Sequence, residues 1–176
     1  ERRNYVAGDL TYLEMAEAAV QLIKGDETET YRFYHELQQQ QAEEELRLES
    51  SLSRAIEQRH FELVYQPQFN LQTGRIESAE ALLRWQHPEQ GSISPAKFIP
   101  LLERTGLIKQ VGEQLLRQAL HDLATWRQAT GQIFRIAINV AAQQLNDPEF
   151  PARLLSLIEQ AGLKPDQVEL EFTEST

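Results

Sequence analysis

Between Val168 and Glu174 the chain alternates: Val168, Leu170 and Phe172 fall on one side, and Glu169, Glu171 and Thr173 on the other. A period of two is that of a β-strand. A row of carboxylates cannot face a helix layer without a large desolvation cost, so that side must line a polar interior or a cleft. The segment Ile133 to Val140 has the same two-sidedness. Phe134, Ile136, Ile138 and Val140 share one side, leaving Arg135, Ala137 and Asn139 on the other. The apolar sides require helices to pack on them.

Those helices are spelled out between the strands. After Phe61, strand-like and helix-like segments alternate with Gly and Pro punctuation, which is an α/β signature. Glu62 to Phe69 and Arg75 to Leu83 read as strands around the turn Asn70-Leu71-Gln72-Thr73-Gly74. Ser94 is a candidate N-cap with Pro95 at the first helical position, and Gly106 can end that short helix. Ile108 to Thr130 reads as the longest helix of this part, Asp147 to Gln160 as another, and Val168 to Phe172 as a further strand.

The N-terminal third reads differently. Leu13, Ala16, Val20 and Ile23 recur at helical spacing from residue 11 to 24, and Gly25-Asp26 stops the pattern. Thr30-Tyr31-Arg32-Phe33-Tyr34 is short, aromatic and β-prone, and is expected to be a strand pairing outside this chain. His35 to Gln58, rich in Gln, Glu, Leu and Arg without Gly or Pro, favours a long solvated helix. It reads as a link between domains, although composition alone favours a plain charged helix with no role beyond spacing.

Charge narrows the partners. The formal net charge of -10 argues against a DNA- or RNA-binding surface, which needs a basic face to release counterions. Any phosphate ligand must be small, held by a divalent metal and a well-placed arginine whose local charges outweigh the distant average. The absence of cysteine excludes disulfides and thiolate metal sites and suggests a reducing, cytoplasmic setting. No apolar run approaches the roughly 18 residues of a membrane span.

Asn139 and Glu171 fall near the C-terminal ends of their strands, as Glu80 does if its strand ends near Leu83. In a (β/α) barrel, catalytic groups project from those ends. Three oxygen donors suit a hard divalent cation, magnesium or manganese. Each residue alone has a bland explanation: Glu80 and Glu171 could be solvated strand-end acids, and Asn139 could cap a turn. His87 reads as a turn residue before Pro88.

Several motifs stand in order along the chain. They are Tyr65-Gln66-Pro67, Glu80-Ala81-Leu82-Leu83-Arg84-Trp85 with Gln86-His87-Pro88, and Ser94-Pro95-Ala96-Lys97-Phe98-Ile99-Pro100. Thr105-Gly106-Leu107-Ile108, Asn139-Val140-Ala141 with Gln144-Leu145, and Leu170-Glu171-Phe172-Thr173-Glu174-Ser175 follow. From about Leu46 to Thr176 the chain thereby resembles an EAL domain, the family that hydrolyses or senses cyclic di-GMP. The resemblance implies the first half of a modified (β/α)8 TIM-like barrel, over residues 59–176. It implies that Glu80, Asn139 and Glu171 ligate a catalytic Mg2+ or Mn2+, with Glu80 counted as catalytic. Gln66, Leu83 and Arg84 would contact the dinucleotide, the amide on a guanine edge and the guanidinium on a phosphate oxygen. Glu174 would brace a loop near a dimer face.

The family reaction is hydrolysis of one phosphodiester bond, with two metals clamping the scissile phosphate. The family's Asp-Asp pair, catalytic lysine and later glutamate lie on strands after the Glu171 motif, and the chain ends at Thr176. Residues 1–34 resemble the end of a GGDEF domain, with Tyr31-Arg32-Phe33-Tyr34 as its closing strand and a poorly kept helix end at Ile23-Lys24. Residues 35–58 would be the linker. Two functions are expected to compete: a phosphodiesterase fragment, or a receptor that binds cyclic di-GMP without turnover. A third expectation is that the segment alone does neither, because half a barrel leaves open edges and is not expected to stand as an ordinary monomer.

Overall fold

In a computed structural model, residues 27–132 and 134–172 are described. The chain divides into two compact units, Glu1–Ser50 and Ser51–Thr176. The expected helix at 11–24, Ile133 and the positions from Thr173 onward, Glu174 included, lie outside the described residues. In the first unit the described residues are helical, belonging to α1 (Glu27–Glu57). The strand expected at Thr30–Tyr34 is therefore helical instead. Aromatic β-propensity is realised only against a partner strand, whereas a helix satisfies its backbone groups within the segment.

In the second unit, α1 ends where His60 N–H donates to Ala55 O at 2.8 Å and Arg59 N–H to Ile56 O at 3.2 Å. Arg59, at φ 56°, takes the left-handed position that closes such an end. The chain then enters β1 (Phe61–Phe69), which turns through Asn70 into β2 (Ile76–His87). Asn70 Oδ1 accepts from Gln72 N–H and Thr73 N–H at 2.8 and 3.1 Å, which fixes that turn. After β3 (Gly91–Ile93) come α2 (Pro95–Arg104), α3 (Ile108–Thr130), β4 (Arg135–Asn139), α4 (Ala142–Leu145) and α5 (Phe150–Gln160). A short 3-10 turn, Pro165–Gln167, leads to β5 (Val168–Glu171).

The sheet runs β1-β2-β4-β5, with β3 hairpinned onto β2. β1 is antiparallel to β2, while β2, β4 and β5 are parallel. Parallel neighbours need crossovers, and α2 with α3 supplies the first and α5 the second. Leu116, Ala119, Leu120 and Leu123 of α3 and Phe150, Leu154, Leu157 and Ile158 of α5 form one core cluster with Ala81, Ile136 and Ile138. Around β2, Phe61, Trp85 and Phe98 pack in tilted and edge-on contacts at centroid distances of 5.4 to 5.7 Å. Tyr65 donates its hydroxyl to Asp122 of α3 and meets Trp126 edge-on at 4.6 Å. Burial and that carboxylate raise its phenol far above the ordinary value.

Helix α3 has the expected limits and ends on Gly131, whose φ of 68° is costly for other residues. Other boundaries moved. β2 continues to His87 rather than stopping near Leu83, because β1 and β3 both pair with its far end. α5 opens at Phe150, since the Asp147 carboxylate takes Glu149 N–H in a local turn. Ser94 precedes α2 in an extended conformation, but only its carbonyl bonds the first turn. His87, expected in the turn, is instead the last residue of β2, and its Nδ1 holds the turn by accepting from Glu89 and Gln90 N–H.

Leu123 is fully buried and Leu71 is 99% exposed. Leu123→Ala is expected to lower unfolding free energy by about 2–5 kcal/mol in urea titrations, against about 0.5 or less for Leu71→Ala. Equal effects would contradict this placement of the core.

Candidate functional site

Strand parity decides what meets on the polar side of the sheet. Gln66 pairs directly with Glu80, Glu80 with Ala137, and Ala137 with Glu169. Side chains of paired residues share a face, so Gln66, Glu80 and Glu169 lie in one row across the sheet. Ala137 sits in that row too, buried between two longer neighbours. One step toward the strand ends, Asn139 pairs with Glu171. The opposite face carries Ala81, Ile136 and Ile138 into the helix-covered core.

Glu80 is interior to β2, yet it stands close to an end that matters. β4 pairs with β2 only from Ser78 to Ala81 and then stops at Asn139. Glu80 thus faces the place where β4 and β5 terminate. Asn139 Nδ2 donates to Glu80 Oε1 at 2.9 Å, and Val140 N–H donates to Glu171 O at 2.8 Å. Burial raises the Glu171 pKa, with the negative charges of Glu80 and then Glu169 adding to the shift. The three residues named from sequence are brought together.

Arg84 lies on the same strand face as Glu80, about 13 Å along at the usual rise per residue. Its Nη1 donates to Leu83 O at 2.9 Å, and among the described residues it forms no ion pair. Gln66 is exposed opposite Glu80. Leu83 differs from the others, because parity turns it to the face of Leu63, its register partner. A cavity of about 370 Å³ opens beside these groups, bordered by Glu80, Arg84 and Asn139 and walled by Leu83, Ile99 and Phe172. Most of its lining is apolar, with Glu80, Arg84 and Asn139 among its few polar groups, a combination suited to a ligand with flat rings and phosphates.

Beyond Asn139 the chain is tied down by charge. Arg153 of α5 reaches Asp147 Oδ2 at 2.7 Å and Glu113 Oε2 at 3.3 Å, and Glu113 also holds Arg117 at 2.7 Å. The hydrogen bond from Arg153, with backbone help from Glu149, keeps the Asp147 carboxyl below its ordinary range. Glu169 and Gln144 were outside the candidate set. Parity with Glu171 gives away Glu169, and Gln144, three residues after Ala141, fits half a capping box.

Among the described residues no group of three or more His, Cys, Asp and Glu gathers as a metal cluster. The donors that do gather are two carboxylates and one amide, all oxygen-bearing. That donor set fits a hard cation, and the charge pressing on Glu171 is what such a cation would relieve. No helix among the described residues is long and apolar enough to cross a membrane.

Residues 49–176 match the EAL domain family. Over 127 residues the chain is 44% identical to a Pseudomonas aeruginosa protein named cyclic di-GMP phosphodiesterase PA2567, covering 72% of this chain and 22% of that one. It is 35% identical over 161 residues to the same organism's bifunctional diguanylate cyclase/cyclic di-GMP phosphodiesterase MucR, covering 92% and 24%. A solved structure described as the PaMucR phosphodiesterase in complex with c-di-GMP superposes with a TM-score of 0.69 at 36% identity. That superposition covers 73% of this chain and 52% of the other, so the sheet described above is part of the family's barrel. The chain spans less than a quarter of the length of these curated relatives.

The depressed Asp147 carboxyl has a pH consequence. A carboxyl held low when folded stabilises above its unfolded pKa, and the effect fades as pH falls through the folded value. The melting-temperature gap between the natural protein and Asp147→Asn should be small, largest near neutrality, and should close in acid. Its partners are solvated, which limits the size. A gap that persists unchanged into acid would contradict the ion pair.

Proposed function

The chain belongs to the EAL domain family, and from that premise we propose that it supplies the first half of a metal-dependent cyclic di-GMP phosphodiesterase site. The observation that carries the reading is the convergence of Glu80, Asn139 and Glu171 from three parallel strands, sealed by the Asn139–Glu80 hydrogen bond. In this reading those three hold Mg2+ or Mn2+. The bound cation supplies Lewis-acid polarisation of the phosphate and a water acidic enough to attack at neutral pH. Hydrolysis would add water across one P–O bond, leaving a linear dinucleotide with a free hydroxyl and a terminal phosphate.

The chain's own side chains bind and orient. Arg84 offers a planar fork of donors to a phosphate oxygen, and its present bond to a neighbouring carbonyl leaves the other donors of the fork available. Gln66 presents an amide able to pair with a guanine edge, and Leu83 lends an apolar wall to the cavity rather than a contact from the face of Glu80. Glu174 is assigned the loop-bracing role. The retained donor trio favours an enzyme over a receptor.

The domain reading is of the same kind. Residues 59–176 form the N-terminal half of the EAL domain, 35–58 the linker, and 1–34 the C-terminal remnant of a degenerate GGDEF domain. Likeness to a bifunctional cyclase and phosphodiesterase over 161 residues supports the last assignment, although the helix through Thr30–Tyr34 withdraws its closing strand. A cytoplasmic site of action and dimerisation through the EAL domain complete the proposal.

The test is to incubate the full-length protein with cyclic di-GMP and Mn2+ and separate the products chromatographically. Linear dinucleotide is expected, lost on chelation and regained with Mn2+. Glu80→Gln should lower turnover by roughly a hundredfold or more, since a neutral amide replaces a charged ligand. Arg84→Lys should weaken dinucleotide binding roughly tenfold to a hundredfold, the worth of a charged hydrogen bond. Tight binding without product would sink the enzyme reading in favour of the receptor.

A further inference from the structure

The turn that follows Asn139 is held by a side chain with no assigned role. Gln144 is 92% buried at the start of α4, and its Oε1 accepts Ala141 N–H at 3.2 Å. Alanine has no side-chain acceptor, so only this half of a capping box exists. Gln144 N–H donates back to Ala141 O at 2.9 Å, and Asp147 N–H to Gln144 O at 3.1 Å. Immediately before the turn, Val140 N–H is bound to Glu171 O. Asn139 is therefore followed by two consecutive backbone N–H groups that are both committed, one to the neighbouring strand and one to Gln144.

The seat of that glutamine is specific. A Cβ placed on Gly112 of α3 would lie 2.4 Å from Gln144 Nε2 and 2.7 Å from its Cδ. Only glycine lets the amide rest against the helix at this point. Gln143, the preceding residue, donates from Nε2 to Glu103 O at 2.7 Å, tying the same turn to the last residues of α2. Gly112, Gln144 and Asn139 all border the cavity beside Glu80.

We propose that Gln144, seated on Gly112, is a positioning residue that fixes the exit of β4 so that the Asn139 amide stays in register with Glu80 and Glu171. The inference rests on the metal reading of that trio. Groups that orient metal ligands without touching the ion typically change metal affinity by 10- to 100-fold when removed.

Two substitutions in the full-length protein reach the latch by different routes. Gln144→Met keeps the bulk and deletes the acceptor, while Gly112→Ala leaves the glutamine intact and evicts it. Amide hydrogen exchange at Ala141 and calorimetric affinity for Mn2+ alone are the readouts. Both variants are expected to speed Ala141 exchange and to weaken Mn2+ binding roughly tenfold. Faster exchange with unchanged Mn2+ affinity would overturn the positioning role and leave Gln144 a structural cap. Unchanged exchange would overturn the latch itself. Should Gln144→Met fail to fold, the milder Gly112→Ala carries the test. If the unsubstituted protein binds no Mn2+, the metal reading fails and takes this inference with it, an outcome distinct from either of the others.

Discussion

Four rungs of parallel pairing, from Ser78 to Ala81 against Arg135 to Ile138, fix what this domain can do. They place Glu80 beside the end of β4 and so beside Asn139. Because side chains alternate, a slip of one residue would send Glu80 into the helix-packed core and bring Ala81 to the polar side. The core forbids that slip, since Ala81 and Ile138 are packed among α3 and α5 while a carboxylate there would have no partner. Packing on one face of the sheet thus sets the chemistry on the other.

Much of this was legible because it is periodic. Val168 to Glu174 announced a two-faced strand, and the register confirms that Glu169 and Glu171 share the side of Ala137 and Asn139. The α/β alternation and the limits of the helix at Ile108–Thr130 were equally plain, since an amphipathic run closed by glycine has few other solutions. Where the sequence misled, the presence or absence of one particular hydrogen-bonding partner was the reason. Thr30–Tyr34 lies in a helix although its residues favour strands. β2 outruns its expected end because β3 folds back onto Trp85–His87. The start of α5 moved three residues because an aspartate side chain captured a backbone donor first. Leu83 and Arg84, both assigned to the dinucleotide by the family resemblance, lie on opposite strand faces, as adjacent strand residues must.

The proposed site also accounts for how an acidic chain could address an anionic ligand. With a formal charge of -10 the distant field repels phosphate. Locally the balance differs: Arg84 stands on the polar face unpaired with any described carboxylate, and in the proposed reading a divalent cation would neutralise the two clustered carboxylates. In that reading a small anionic ligand is favoured over a nucleic acid, because only a ligand small enough to reach both features escapes the general repulsion.

The central claim is that Glu80, Asn139 and Glu171 form one cation site facing the dinucleotide. The most direct measurement is anomalous diffraction from crystals of the full-length protein grown with Mn2+ and cyclic di-GMP. A manganese peak about 2.0–2.3 Å from oxygens of all three residues, with a ligand phosphate on Arg84, is the expected result. A peak elsewhere, or a dinucleotide seated away from the polar face of β2, β4 and β5, would contradict it.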